Sequence, residues 1–289
     1  MTAKRIDRIL QAKPTMEGAG VRLKRAFGYE EVPLFDPFLM LDDFHSSQPA
    51  DYLAGFPWHP HRGIETITYL LEGLVEHGDS MGNKGAIGAG DVQWMTAGSG
   101  IIHQEMPQLS PTGTMWGFQL WANLPAASKM MPPRYQDVKA AEIPEVTLAG
   151  GTKVKIIAGG IGEVSGPVKD IVIEPEFFDV TIPAGGTFEH RVKAGHTVFA
   201  YVLAGEGRFG EADLSLSGSE SIVLFGREGE EVIATASEQP FRFLLLAGRP
   251  LGEPIAWRGP IVMNSEAELK TAFEEYRLGT FIKDGNGVS

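Results

Sequence analysis

The strongest constraint on this chain is that it repeats itself. YLLEGLVEHGD, from Tyr69, is echoed by YVLAGEGRFGE, from Tyr201; DVQWM, from Asp91, by SIVLF, from Ser221. GFQLWANLP, from Gly117, is echoed by FRFLLLAGRP, from Phe241, the two ending in Pro125 and Pro250. Three elements recurring in one order at nearly constant offset mean that one supersecondary unit is built twice. Each copy consists of short apolar, β-branched runs cut by Gly-containing turns, as in GGTFEHRVKAGHTVFAYVLAGEGRFG, the pattern of antiparallel sandwiches and barrels. The expected fold is all-β: two tandem antiparallel β-barrels of jelly-roll type, residues 1–125 and 145–289. Residues 126–144, which contain SKMMPPRYQ and lack strand alternation, are the expected linker, with room for a short helix.

With 289 residues the chain can bury two ordinary cores, and 36 Gly and 19 Pro suit strands and tight turns better than long helices. One helix is predicted near the C-terminus. Ser265 and Glu268 form a capping box, Leu269, Ala272, Phe273 and Tyr276 share a face, and Gly279 is placed to end it. This helix is expected to pack on the second barrel and to carry no chemistry.

A net charge of -12 argues against coating nucleic acid or an anionic membrane. The N-terminal run of Lys4, Arg5, Arg8, Lys13, Arg22, Lys24 and Arg25 is locally basic and reads as a solvated edge strand. The absence of Cys removes disulfides, thiolate ligands and a Cys nucleophile, so a metal must rest on imidazole and carboxylate. No run has the length of a signal peptide core or a membrane span, and a cytoplasmic protein is the expectation.

The chemistry lies in two short pairs. His59 and His61 are two apart in WHPHRGIETITYLLEG, and on a strand residues i and i+2 point to one face. His103 and Glu105 repeat that spacing in GSGIIHQE, so two strands would offer four converging ligands. Three imidazoles and a carboxylate without sulfur suit one divalent ion, Fe(II), Mn, Co, Ni, Cu or Zn, and leave positions open on an octahedral metal. Structural zinc is usually built with Cys, which makes a purely structural ion the poorer reading. In the second copy, Arg191 and Lys193 match the first pair by the alignment of Tyr69 with Tyr201, and the positions that match the second pair fall near Ile233 and Thr235. That copy is expected to hold no metal.

The other histidines read as structural. His45 falls in the loop-like DDFHSSQ, His77 at an expected turn on the surface, and His190 and His196 flank VKAG as hydrogen-bonded residues. Glu65, four residues past His61, could also face inward as a ligand or as an acid behind the ligands. TAGSG lacks the Lys and helix start of a phosphate loop and reads as a tight approach to the metal strand.

FPWHPHRGIETITYLLEG, GAGDVQWMTAGSGIIHQEMP and GFQLWANLP closely resemble the pirin family of the cupin superfamily. The resemblance implies a bicupin with one metal, usually iron, in the N-terminal barrel. His59, His61, His103 and Glu105 match its ligands, while the general cupin pattern would use Glu65 instead; the pirin pattern places Glu65 behind the metal. It implies a dioxygenase resembling quercetin 2,3-dioxygenase, with a flavonol and dioxygen as partners and Glu105 as general base. The rival it implies is a redox-sensitive regulator that binds a partner protein. Phe56, Trp58, Trp94 and Met106, adjacent to the ligands in sequence, are candidate walls for a flat aromatic ligand, with core packing the alternative for each.

Overall fold

In a computed structural model, residues 2–210 and 216–283 are described. The first half supplies twelve strands: β1 (Ile6–Gln11), β2 (Lys13–Glu17), β3 (Val21–Phe27), β4 (Phe38–Ser46), β5 (Phe56–His61), β6 (Ile64–Glu72), β7 (Leu74–Asp79), β8 (Lys84–Gly88), β9 (Val92–Thr96), β10 (Ile101–Gln108), β11 (Met115–Asn123) and β12 (Arg134–Val138). The second supplies β13 (Glu145–Thr147), β14 (Lys153–Ala158), β15 (Gly160–Ile161), β16 (Val164–Ser165), β17 (Glu176–Ile182), β18 (Thr187–Arg191), β19 (Thr197–Ala204), β20 (Gly207–Phe209), β21 (Ser221–Phe225), β22 (Glu231–Ala236) and β23 (Phe241–Gly248). The hairpin β24 (Ala256–Arg258) and β25 (Ile261–Met263) and a helix, Glu266–Leu278, follow.

The chain is mostly β and forms two compact units. In one, a seven-stranded sheet in the order β12-β9-β6-β11-β4-β3-β2 is accompanied by the four-stranded sheet β5-β10-β7-β8. In the other, the order is β1-β21-β19-β23-β17-β14-β13, accompanied by β18-β22-β20. The repeated segments occupy like places: β6, β9 and β11 in the first correspond to β19, β21 and β23 in the second.

The units are not contiguous halves. Met1–Lys13 and Glu31–Pro37 count with Ala141–Pro250, whereas Leu251–Ser289 counts with Pro14–Glu30 and Phe38–Ala140. The physical reason is edge pairing, because a β-sheet edge needs a partner for its open backbone groups. Strand β1 pairs antiparallel with β21, and β12, from the stretch expected to be a strandless linker, pairs with β9. Short 3-10 turns flank β12 at Ala126–Ser128 and Ala140–Glu142.

The predicted helix forms with its predicted ends. Ser265 accepts from the Glu268 backbone N–H at 3.3 Å, and Gly279 takes the left-handed conformation (φ 72°) that a side chain disfavours. Its partner differs from the expectation. Leu269 and Ala272 pack with Ala256, Ile261, Met263 and Phe281, within the unit that holds the first copy of the repeat. Two clips account for this. Buried Arg62 donates to Glu275 Oε2 at 2.7 Å and to the Phe281 carbonyl at 2.8 Å, and buried Lys129 donates to the carbonyls of Gly63 (2.9 Å) and Val262 (3.0 Å). Gly63 lies so close to Val262 that a Cβ would sit 1.9 Å from its carbonyl oxygen.

Candidate metal centre

Strand β10 alternates in burial along its whole length, placing Ile101, His103, Glu105 and Pro107 inward. It pairs antiparallel with β5, His103 opposite His59 and Ile101 opposite His61. The two histidine segments, forty-odd residues apart in sequence, therefore become neighbours by sheet pairing. A register irregularity falls between His103 and Glu105: the step from His103 to Glu105 is matched by His59 to Phe56, so the extra residue lies on β5 and the alternation of β10 is unbroken.

Three imidazoles converge. The candidate ligand nitrogens of His59, His61 and His103 lie within 4.8 Å of one another, and Nε2 of His59 is 3.0 Å from Nε2 of both His61 and His103. The other ring nitrogens explain the orientation. His59 Nδ1 is 2.9 Å from the Pro57 carbonyl oxygen, and His61 Nδ1 is 3.1 Å from that of Pro260. A carbonyl only accepts, so in both neutral rings Nδ1 carries the proton and Nε2 presents a lone pair. Burial holds all three imidazoles below their ordinary pKa, His61 and His103 well below it, so the neutral form is favoured.

Two lone pairs facing each other at 3.0 Å repel unless a cation lies between them, and the donor set thus fits a metal. Metal–imidazole bonds of about 2.1 Å put adjacent octahedral vertices about 3.0 Å apart and tetrahedral ones about 3.4 Å apart. The two spacings measured from His59 equal the octahedral value.

Glu105 lines the same cavity but is not part of the close group of three. Its Oε1 accepts from the Thr68 hydroxyl at 2.9 Å, and burial pushes its carboxyl up to about 7. Glu65 is buried, and its carboxylate accepts from Thr96 Oγ1 at 2.7 Å; among the described residues it bonds none of the three imidazoles. Burial raises its pKa as well.

The cavity, about 660 Å³, opens beside His59, His61 and Glu105. Of the four walls proposed from sequence adjacency, only Phe56 lines it. Trp58 is 52% exposed, Trp94 is core, buried on β9, and Met106 lies on the opposite face of β10 from Glu105. The aromatic walls are instead Trp121, Trp257, Tyr29 and Phe44, contributed by strands and turns distant in sequence from the ligands. Trp121 also packs edge-on against His61, ring centroids 5.1 Å apart. Nothing in the spacing of residues around 257–260 links them to His61; the clips on Arg62 and Lys129 do.

The remaining histidines sort as follows. His77 is not at a surface turn but buried on β7, opposite Glu105 and stacked on Tyr135. His45 is exposed near the end of strand β4 rather than in a loop, stacked on Trp116. His190 pairs with Glu176 at 2.9 Å, the hydrogen-bonded role expected of it. TAGSG does make a close approach: the Gly63 N–H donates to the Gly98 carbonyl at 2.9 Å.

The hollow first barrel and its cluster of histidines define the protein as a double cupin with, among the described residues, one candidate metal centre. Residues 20–122 match the pirin family and residues 177–282 the pirin C-terminal cupin domain. A Pseudomonas aeruginosa protein named "Putative quercetin 2,3-dioxygenase" is 46% identical over 271 residues, 92% of this chain and 94% of its own length. A Caulobacter vibrioides "Pirin-like protein" is 45% identical over 283 residues, 97% of this chain and all of its own length. The crystal structure of quercetin 2,3-dioxygenase from Acinetobacter baumannii superposes with a TM-score of 0.89 at 33% identity, covering 97% of this chain and 99% of that one. The chain belongs to the pirin family. Among the described residues, no helix is long and apolar enough to cross a membrane.

Proposed function

We propose that this protein is a metal-dependent dioxygenase that cleaves flavonols such as quercetin with dioxygen and releases carbon monoxide. The observation that carries the reading is the convergence of three neutral imidazoles, His61 and His103 buried and His59 half-buried, beside an aromatic-walled cavity. The names of the similar Pseudomonas and Acinetobacter proteins support it.

His59, His61 and His103 would hold the ion, iron(II) by preference, with Glu105 within the same cavity as a fourth ligand or as base. The bound metal would supply Lewis-acid activation of the substrate oxygens and the redox partner for dioxygen. A volume of about 660 Å³ lies in the range typical of small-molecule sites. Trp121, Trp257 and Phe56 would clamp the flat rings and exclude water, so that the 3-hydroxyl and adjacent carbonyl enter edge-first. Glu105, with a carboxyl near neutrality, is suited to take the 3-hydroxyl proton on a carboxylate oxygen. The Thr68 hydroxyl, 2.9 Å from both Glu105 Oε1 and Gln119 Oε1, holds one carboxylate oxygen and leaves Oε2 for that proton.

The test is anaerobic purification, elemental analysis and oxygen uptake with quercetin. Stoichiometric metal with oxygen consumption and carbon monoxide release is expected. Bound metal without oxygen consumption would overturn the enzymatic reading and leave a metal-binding regulator.

A further inference from the structure

The basic N-terminal stretch reads from sequence as a solvated edge. Arg22 agrees, its side chain 70% exposed. Arg25 does not: it lines the cavity together with Asp42 and Glu17.

On paired strands β3 and β4, Arg25 faces Asp42. Its Nε donates to Asp42 Oδ1 at 2.8 Å and Nη2 to Oδ2 at 2.7 Å, a two-pronged bond that fixes the guanidinium plane. The same Nη2 lies 2.9 Å from Glu17 Oε1, at the end of β2. Asp42 is 4% exposed and has both oxygens engaged; Glu17, 42% exposed, is reachable by a ligand. Arg25 Nη1 and Glu17 Oε2 make no hydrogen bond among the described residues. One free donor thus sits near one free acceptor on a cavity whose other polar side chains include Gln119, His59, His61 and Glu105. The trio sums to one negative charge, one cation against two carboxylates.

That arrangement discriminates between ligand chemistries. A hydroxyl both donates and accepts, so it can bond Glu17 and Arg25 together. A carboxylate only accepts, and it meets a net negative cluster in a partly desolvated wall. We propose that Glu17 and Arg25, held in place by Asp42, are specificity-determining residues that select neutral, hydroxyl-bearing aromatic substrates and reject aromatic carboxylates. The inference rests on the dioxygenase reading of this cavity and adds the contact made away from the chelating edge.

The test is equilibrium binding to the metal-loaded full-length chain, followed by quenching of tryptophan fluorescence. Three probes share a chelating edge: quercetin, 3-hydroxyflavone, which lacks the other hydroxyls, and 3-hydroxyflavone carrying a carboxylate on its pendant ring. The wild type should bind quercetin about tenfold more tightly than 3-hydroxyflavone and the carboxylate about tenfold more weakly than quercetin. Glu17→Ala should shrink the quercetin preference to about threefold or less and leave 3-hydroxyflavone affinity unchanged. Glu17→Gln, which keeps an acceptor but removes the charge, should bring the carboxylate to within about threefold of quercetin. A quercetin preference that survives Glu17→Ala, or no discrimination by the wild type, overturns the proposal while leaving the dioxygenase reading intact. Failure of 3-hydroxyflavone itself to bind the wild type overturns both.

Discussion

The two barrels share one seven-stranded sheet order and differ in what the accompanying small sheet turns inward. In the first, β5 and β10 present His59, His61, His103 and Glu105, and a cavity remains. In the second, the paired strands β18 and β22 turn in Phe188, Val232, Ala234 and Ala236. There Phe209 fills the middle, with Phe225, Phe241 and Phe243 at centroid distances of 5.7, 5.4 and 5.1 Å. Among the described residues, twenty buried apolar residues form that core. Convergent imidazoles keep a barrel open because their lone pairs need a cation or water, whereas phenylalanine rings close it by burying one another. One scaffold therefore carries a site in one copy and supplies packing in the other.

The largest effect expected is on the first barrel's side of this contrast. His61→Ala removes one of three nitrogens and the anchor to Pro260, and metal content by elemental analysis should fall from about one ion per chain to roughly a tenth or less. Full retention of metal would break the assignment of the hollow barrel as the metal barrel. On the other side, Phe243→Ala should cost about 3–5 kcal/mol in denaturant unfolding, the penalty for a cavity in a packed core, with metal content per folded chain unchanged.

A smaller effect separates ligand from base. Glu105→Gln should lower flavonol turnover about a hundredfold while the three histidines keep the ion. The metal-free protein offers a second reading of the same residue. Its folded pKa, about 7, lies above that of an unfolded glutamate, so its contribution to stability is full below about pH 4.5 and is lost as pH rises through about 7. Comparing melting temperatures of wild type and Glu105→Gln across that window isolates this dependence from the histidines, whose depressed values act in the opposite direction. Equal slopes in both proteins would remove Glu105 from the buried site.

The smallest effect sharpens the comparison by trying to erase it. Arg191→His with Lys193→His restores the paired histidines at the positions that match by counting. Their side chains are 67% and 59% exposed, so the double variant should gain no metal and change stability by less than about 0.5 kcal/mol. Stoichiometric metal in the second barrel would mean that packing does not decide between the copies.

The failure of that counting shows where sequence reading stops. A repeat aligned through Tyr69 and Tyr201 recovers the long central strands β6 and β19, whose hydrophobic runs fix their own register. It drifts on the small sheet, where turns differ in length and a single residue of slip turns a side chain outward. The wall residues Trp58 and Met106 fail for a related reason, since the neighbour of a ligand along a strand points to the opposite face, whereas Trp94 lies on β9, which carries no ligand, and is buried as core.

What the sequence determined alone is local and periodic: two β units, the capped helix after Ser265, and the two pairs at i and i+2 that aim histidines inward. Tertiary structure decided everything that depends on which segments become neighbours. It brought Pro260 to His61 across about two hundred residues, placed the C-terminal helix on the first unit through Arg62 and Lys129, and turned Arg25 from a surface charge into cavity wall. Backbone alternation is written in each residue's neighbours, whereas sheet-edge pairing and buried polar clips are settled only when the whole chain has satisfied its hydrogen bonds.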